Sequence, residues 1–314
     1  MVRQRFACKE CGDDTDALDD TERLKQNLCR GCYGKGKDTR TNKLNHLSGS
    51  EWAQYSKSVE YYPGNRTEKQ KEHGACFPIS LAKQQIEIYT QKDELVFDPF
   101  LGVGTTSEAA EKLGRKSIGI ELTDRFVQLA KKDIEDHDRH QIIHDDVRNM
   151  CSHIESDSID FQLTSPPYGN LLETVDGEFA RKWKEHSTIN PVKNPDQYSE
   201  DERDMGNLPY DIFLEEIRTV FEDSFKVLKD GAYAVWVVKD YRDLDNNRPF
   251  VNFHGDIIDV AEDAGFTTWD IKIYDQTDFR PLVVLGYPSR NYYLNIGHSY
   301  LLVFRKYLTG RYAN

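Results

Sequence analysis

A doubly wound, mostly parallel α/β sheet is the fold class this sequence predicts, and three observations predict it. Apolar runs of strand length alternate with segments carrying apolar residues at helical spacing, from residue 94 to residue 304. A glycine-containing turn, Asp98-Pro-Phe-Leu-Gly102-Val-Gly104-Thr-Thr106, follows one such run and opens a helix. A second run ends in Ser165-Pro166-Pro167-Tyr168, and two prolines stop a strand because neither can donate to a ladder. The length of 314 residues suits one large domain of this kind plus a small accessory unit.

The elements follow in order. Glu94–Phe97 predicts a short strand, and Thr106–Leu113 a helix with Ala109, Ala110 and Leu113 on one face. Ser117–Ile120 predicts the next strand. Arg125–Ile134 predicts a helix, with Phe126, Leu129, Ala130 and Ile134 spaced to match. Ile142 and Ile143 begin a third strand, and Ile159–Leu163 forms a fourth. A helix over Tyr210–Leu228 leads to the strand Ala232–Val238. A further helix, Ile257–Ala264, stops at Gly265, and Ser299–Phe304 is a late strand.

Six cysteines divide into two classes. Cys8, Cys11, Cys29 and Cys32 form two Cys-x-x-Cys pairs, 17 residues apart. In an intracellular chain that spacing reads as a structural Zn2+ site, and a segment so short needs the metal's folding energy. Residues 1–45 are therefore expected to be a zinc ribbon or knuckle. Residues 46–72 read as a polar linker, and residues 73–314 hold the sheet domain. Cys76 and Cys151 stand alone and are expected to be packed as small hydrophobes.

The N-terminus has no apolar stretch, and no run approaches a membrane span of roughly 18 residues. A cytoplasmic protein without membrane contact is expected. The net charge of −13 gives an acidic body, on which a basic face can still sit.

The glycine turn narrows the ligand. Gly102 and Gly104 let the backbone approach it closely. The turn has no Gly-Lys-Ser/Thr, position 107 is Ser107 where a dinucleotide fingerprint needs glycine, and no basic side chain is present. Glu121 ends the next strand, 19 residues after Gly102, where a carboxylate accepts ribose hydroxyls. Asp146, with Asp145 as its rival, is placed to accept from an adenine amino group. A nucleoside without a 5′ phosphate, such as S-adenosylmethionine, fits that set.

These segments carry a resemblance. His73-Gly-Ala-Cys-Phe77-Pro78-Ile-Ser-Leu81, the loop Asp98–Thr106 and Gly114-Arg115-x-x-Ile-Gly-Ile-Glu121 resemble the cofactor half of the S-adenosylmethionine-dependent amino-group (N4-cytosine/N6-adenine) DNA methyltransferases. The resemblance implies a Rossmann-like methyltransferase fold. It implies that Phe77 and Pro78 line the methionine end of the cofactor. Asp98, Pro99, Phe100, Gly102, Gly104 and Thr105 would hold its amino-acid part, Glu121 the ribose and Asp146 the adenine. Val227–Asp240 and Gly297–Lys306 are similar to the family's later strands, where Lys239, Asp240 and His298 are expected to be structural.

Ser165, Pro166, Pro167 and Tyr168 are the candidate catalytic residues. An exocyclic amine is a weak nucleophile because its lone pair is delocalised into the ring. The Ser165 hydroxyl and Pro166 carbonyl, fixed by the prolines, would accept its N–H groups and free that lone pair. Tyr168 would stack on a base flipped out of duplex DNA. In the family Ser begins the tetrapeptide of N4-cytosine enzymes, and Asp or Asn that of N6-adenine enzymes. N4-cytosine is therefore expected, with N6-adenine as the alternative, followed by an RNA base methyltransferase or a non-catalytic zinc-dependent binding module. The cofactor segments precede the tetrapeptide, a departure from many N4-cytosine members.

Two inserts are candidates for reading the target. Residues 169–208 contain Arg181, Lys182, Trp183, Lys184 and Lys193, and residues 277–295 contain Arg280, Arg290, Tyr287, Tyr292 and Tyr293. Duplex DNA is the expected partner, and the family resemblance brings in a restriction endonuclease as a companion.

Overall fold

The computed structural model describes residues 3–9, 14–18, 22–26, 28, 42–64, 66–74, 76–168, 201–243, 247–278, 280, 282 and 284–307. Two compact units divide the chain, Met1–Lys43 and Leu44–Asn314. In the first, strand β1 (Arg3–Ala7) pairs antiparallel with β2 (Asp14–Leu18), Ala7 opposite Asp14. A short helix α1 (Glu22–Lys25) follows. Cys8 comes directly after β1 and is buried. Cys11, Cys29 and Cys32 lie outside the described residues, and among the described residues no group of three His, Cys, Asp or Glu side chains is arranged to hold a metal.

The second unit begins earlier than composition suggests. Residues read as linker form helix α2 (Gly49–Tyr55), strand β3 (Val59–Glu60) and helix α3 (Glu68–His73). Both helices open on a capping box, Ser48 with Glu51 and Thr67 with Gln70, which satisfies two orphan backbone donors at each end.

Helix α4 (Ile79–Tyr89) buries Leu81, Ala82, Gln85 and Ile86 as one stripe. The alternation then runs β4 (Leu95–Asp98), α5 (Thr105–Lys112), β5 (Lys116–Glu121), α6 (Asp124–Lys132), β6 (His140–His144), α7 (Met150–His153) and β7 (Ile159–Thr164). Helix α8 (Tyr210–Val227), β8 (Leu228–Val238), the hairpin β9 (Tyr241–Asp243) with β10 (Arg248–Val251), α9 (Phe253–Asp263), β11 (Phe266–Asp275) and β12 (His298–Lys306) complete it. Gly265, past the end of α9, has φ of 100°, the left-handed value expected of a glycine stop.

One eight-stranded sheet has the order β3-β11-β12-β8-β7-β4-β5-β6. Strands β6, β5, β4, β7 and β8 are mutually parallel, while β12 runs antiparallel to both β8 and β11. The chain leaves β4 toward β5 and β6, then returns to β7 on the other side of β4. That reversal opens a crevice beyond the carboxyl ends of β4 and β7.

Alternate residues of β8 feed opposite faces. Ala234, Trp236 and Val238 pack against α8 and α9, with Phe213, Phe221 and Phe253. Tyr233, Val235 and Val237 pack on the other face with Leu81 and Ile86 of α4. Among the described residues no helix is long and apolar enough to cross a membrane. Cys151 is exposed, contrary to the packed role expected of it; it sits on the outer side of the four-residue α7.

Candidate active site

The crevice holds a cavity lined by both chemical segments. Strands β4 and β7 are hydrogen-bonded neighbours with Val96 opposite Phe161, so the loops after Asp98 and Thr164 leave the same edge. Ser165, Pro166, Pro167 and Tyr168 follow β7, Pro99, Phe100 and Gly102 follow the adjacent β4, and Glu121 and Asp146 stand at the ends of β5 and β6 beyond it.

Gly102 shows why glycine is needed. Its φ is 56°, and a Cβ there would meet His73 Nε2 at 2.9 Å. The Gly102 amide donates to Glu121 Oε2 at 2.8 Å, and the Thr123 amide donates to Oε1 at 2.8 Å. Each Glu121 oxygen keeps a lone pair for a ligand. Burial raises the Glu121 carboxyl above its ordinary range, and the two amides oppose that rise. Gly104, at φ 85°, presses on Ala130 of α6 and starts α5.

Asp145 and Asp146 both line the cavity. Asp146 is held by Arg148, whose Nε lies 2.9 Å from Oδ1 and whose Nη2 lies 2.5 Å from Oδ2. Asp145 accepts from His153 at 2.6 Å and Asn149 at 3.0 Å, and these bonds hold its carboxyl down at about 2.

Five residues expected around the cofactor do not line the cavity. Asp98 is buried, where Thr106 and Thr164 hydroxyls donate to it at 2.6 Å each and the Phe100 amide at 3.1 Å. It ties β7, α5 and the glycine loop together. Gly104 and Thr105 belong to the start of α5; the Thr105 hydroxyl accepts from Gln70 Nε2 at 3.0 Å. The Phe77 carbonyl also accepts from Gln70, and Pro78 is the N-cap of α4.

Burial lifts the Asp98 carboxyl to about 6 despite its three donors. A carboxyl raised on folding contributes stability below its unfolded value near 4, and that contribution disappears as pH rises through about 6. Relative to Asp98→Asn, the wild type should lose on the order of 2–3 kcal/mol between pH 4 and 6.5 in urea unfolding. Two parallel pH profiles would contradict this.

Other wall residues are not apparent as site residues in the sequence. His73, Phe126, Arg203, Asp204 and Met205 all line the cavity. His73 is packed 4.5 Å from the Phe126 ring, and burial with the nearby Arg66 charge holds it neutral, titrating at about 4. Arg203 pairs with Asp201 at 2.6 Å and reaches the cavity after residues 169–200, which lie outside the described residues together with Arg181, Lys182, Trp183, Lys184 and Lys193. Phe279, Pro281 and Val283 of the second insert also lie outside them.

Residues 17–132 match the N6/N4 methyltransferase family described as DNA methylase. That span contains the glycine loop and Glu121 and ends before the tetrapeptide. The chain is 41% identical over 92 residues to the Type II methyltransferase M.BglI of Bacillus subtilis, covering 29% of this chain and 26% of that protein. It is 28% identical over 177 residues to the Type II methyltransferase M.MjaI of Methanocaldococcus jannaschii, covering 53% of this chain and 55% of that protein. The chain thus spans about a quarter to half the length of these relatives. A SAM-dependent methyltransferase of Methanosarcina mazei superposes with a TM-score of 0.43 at 14% identity, over 74% of this chain and 99% of that one. The chain is thus similar to the N6/N4 methyltransferases over the part that carries the glycine loop and Glu121, which line one cavity with Ser165–Tyr168.

Proposed function

We propose that this chain transfers a methyl group from S-adenosylmethionine to the exocyclic N4 of cytosine in duplex DNA. The observation that carries the reading is the charge of the cavity wall. Glu121, Asp145, Asp146 and Asp204 line it, the cation Arg203 is already paired with Asp201, and His73 is neutral. Such a wall rejects phosphates and suits a nucleoside carrying a positive sulfonium. Glu121 would accept the ribose hydroxyls, and Asp146 or Asp145 the adenine amino group. The glycine loop would lie against the amino-acid part. When bound, the cofactor supplies an electrophilic methyl group.

The tetrapeptide handles the acceptor. Pro166 is buried, which fixes the backbone on either side of it. The Ser165 hydroxyl and Pro166 carbonyl would accept the two amine N–H groups, and the half-buried Tyr168 ring, 5.0 Å from Phe253, would stack on the everted base. Serine at position 165 supports N4-cytosine over N6-adenine. The first unit would hold Zn2+ on Cys8, Cys11, Cys29 and Cys32, with Cys8 already buried at the end of β1. A cytoplasmic setting and a companion restriction endonuclease accompany this reading.

Labelled cofactor, duplex DNA and nucleoside mass spectrometry test it, with N4-methylcytosine expected. N6-methyladenine would move the target; methyl transfer to RNA alone would overturn the DNA reading. Ser165→Ala should lower kcat by about 10²–10³-fold and leave cofactor affinity unchanged. An unchanged kcat would remove Ser165 from the catalytic set.

A further inference from the structure

We propose that Arg66, Lys239 and Arg280 form a seat for a DNA phosphate beside the everted nucleotide; the proposal rests on the reading just given. Topology brings the three together. Lys239 follows β8 directly, Arg280 lies just after β11, and Arg66 lies between β3 and α3. Strands β3, β11 and β8 all run parallel to β4 and β7, so all three cations leave the sheet at the edge that holds the cavity.

Gln276 gathers two of them. Its buried Oε1 accepts from Arg280 Nε at 2.7 Å and from Lys239 Nζ at 3.5 Å. Two cations reaching one oxygen stand no more than about 6 Å apart. The Ile296 carbonyl takes a second bond from Lys239 at 2.7 Å, and the Gly74 carbonyl takes Arg66 Nη1 at 2.9 Å. The Arg66 charge acts on both Arg280 and His73, and Arg280 lies within electrostatic reach of Tyr168. The string therefore runs from the cofactor wall to the catalytic tyrosine.

Its partners are all neutral oxygens. Among the described residues, none of the three cations pairs with a carboxylate. Other cations at this site do: Arg148 pairs with Asp146 and Glu216, and Arg203 with Asp201. With 54 acidic residues in the chain against 41 basic ones, three adjacent cations that have no carboxylate partner among the described residues are not a folding requirement. They repel one another until an anion arrives. A phosphodiester, held off the acidic cavity wall but next to Tyr168, is that anion. It would fix the backbone of the everted nucleotide while the tetrapeptide holds its base.

Lys239 adds a second signature. It is half-buried and faces Arg280 and Gln276 from the segment after β11 and His298 from β12, while Asp240, next in the chain, pairs with His254. Burial and the Arg280 charge lower its amine to about 7. Phosphate favours the ammonium form, so above pH 7 binding must take up a proton. Duplex affinity should fall about tenfold from pH 6.5 to pH 8, and Lys239→Arg should flatten that dependence.

The experiment is equilibrium binding of the full chain to a labelled duplex over about 50–300 mM salt. Arg280→Gln and Lys239→Met should each weaken binding roughly tenfold and reduce the slope of log affinity against log salt by about one. Cofactor affinity by calorimetry should not change. Arg218→Gln, which removes a cation of α8 paired with Asp263, should leave the slope unaltered. Wild-type slopes in Arg280→Gln and Lys239→Met, with methyl transfer intact, would overturn the seat alone. Duplex binding that carries these slopes without any methyl transfer would overturn the underlying reading and leave the seat standing.

Discussion

Gly102→Val is expected to weaken cofactor binding by at least about a hundredfold in titration calorimetry. The physical reason is double. A left-handed backbone costs an ordinary residue about 1–2 kcal/mol, and a β-branched one more. In addition, the new Cβ would meet His73 Nε2 at 2.9 Å, and His73 is itself packed on Phe126. The strain costs stability, whereas the clash displaces His73 and the loop at the cavity wall, and that displacement is expected to cost at least about 2.7 kcal/mol of binding, a hundredfold in affinity. Gly114 separates the two causes. It has φ of 70° but nothing within 4 Å of its would-be Cβ. Gly114→Ala should therefore cost about 1–2 kcal/mol of stability and leave cofactor affinity unchanged. Equal loss of affinity in both variants would show that backbone strain, not the packing against His73, governs the pocket.

The largest effect on stability is expected at Trp236. Its side chain is fully buried in β8, stacked 4.0 Å from the Phe221 ring of α8 and edge-on to Phe100 at 6.1 Å. Trp236→Ala should cost about 3–5 kcal/mol in urea unfolding. Because Phe100 lines the cavity, cofactor affinity should fall in parallel. Trp236→Phe should cost less than about 1.5 kcal/mol, since it keeps most of the volume and removes an indole N–H that has no hydrogen-bond partner among the described residues. A loss in Trp236→Phe matching that of alanine would mean that the indole's shape, not its apolar volume, holds the sheet to α8.

The sequence disclosed the chemical edge of the sheet well because its residues are contiguous. Strand, turn and helix follow within residues 95–112, and the next carboxylate, Glu121, ends the neighbouring strand. The tetrapeptide was legible for the same reason. The linker reading of 46–72 failed on composition: α2 buries no residue, and α3 buries Lys69 and Gln70, polar side chains that no apolar count detects. Strand β11 was missed because its apolar residues are interspersed with Thr, Asp and Lys and do not map onto burial: Trp269 and Ile271 are exposed, while Lys272 is buried in an ion pair with Glu60. Arg203, Asp204 and Met205 reach the cavity from across a long insert, so no local pattern marks them. Asp98 was read as a ligand because it stands in the loop's motif, yet its partners Thr106 and Thr164 come from both chemical segments.

That last contact bears on how the two loops that line the cavity keep their spacing. One carboxylate, clamped between the first turn of α5 and the residue before Ser165, acts as a strut that sets the span between the glycine loop and the tetrapeptide from inside the sheet.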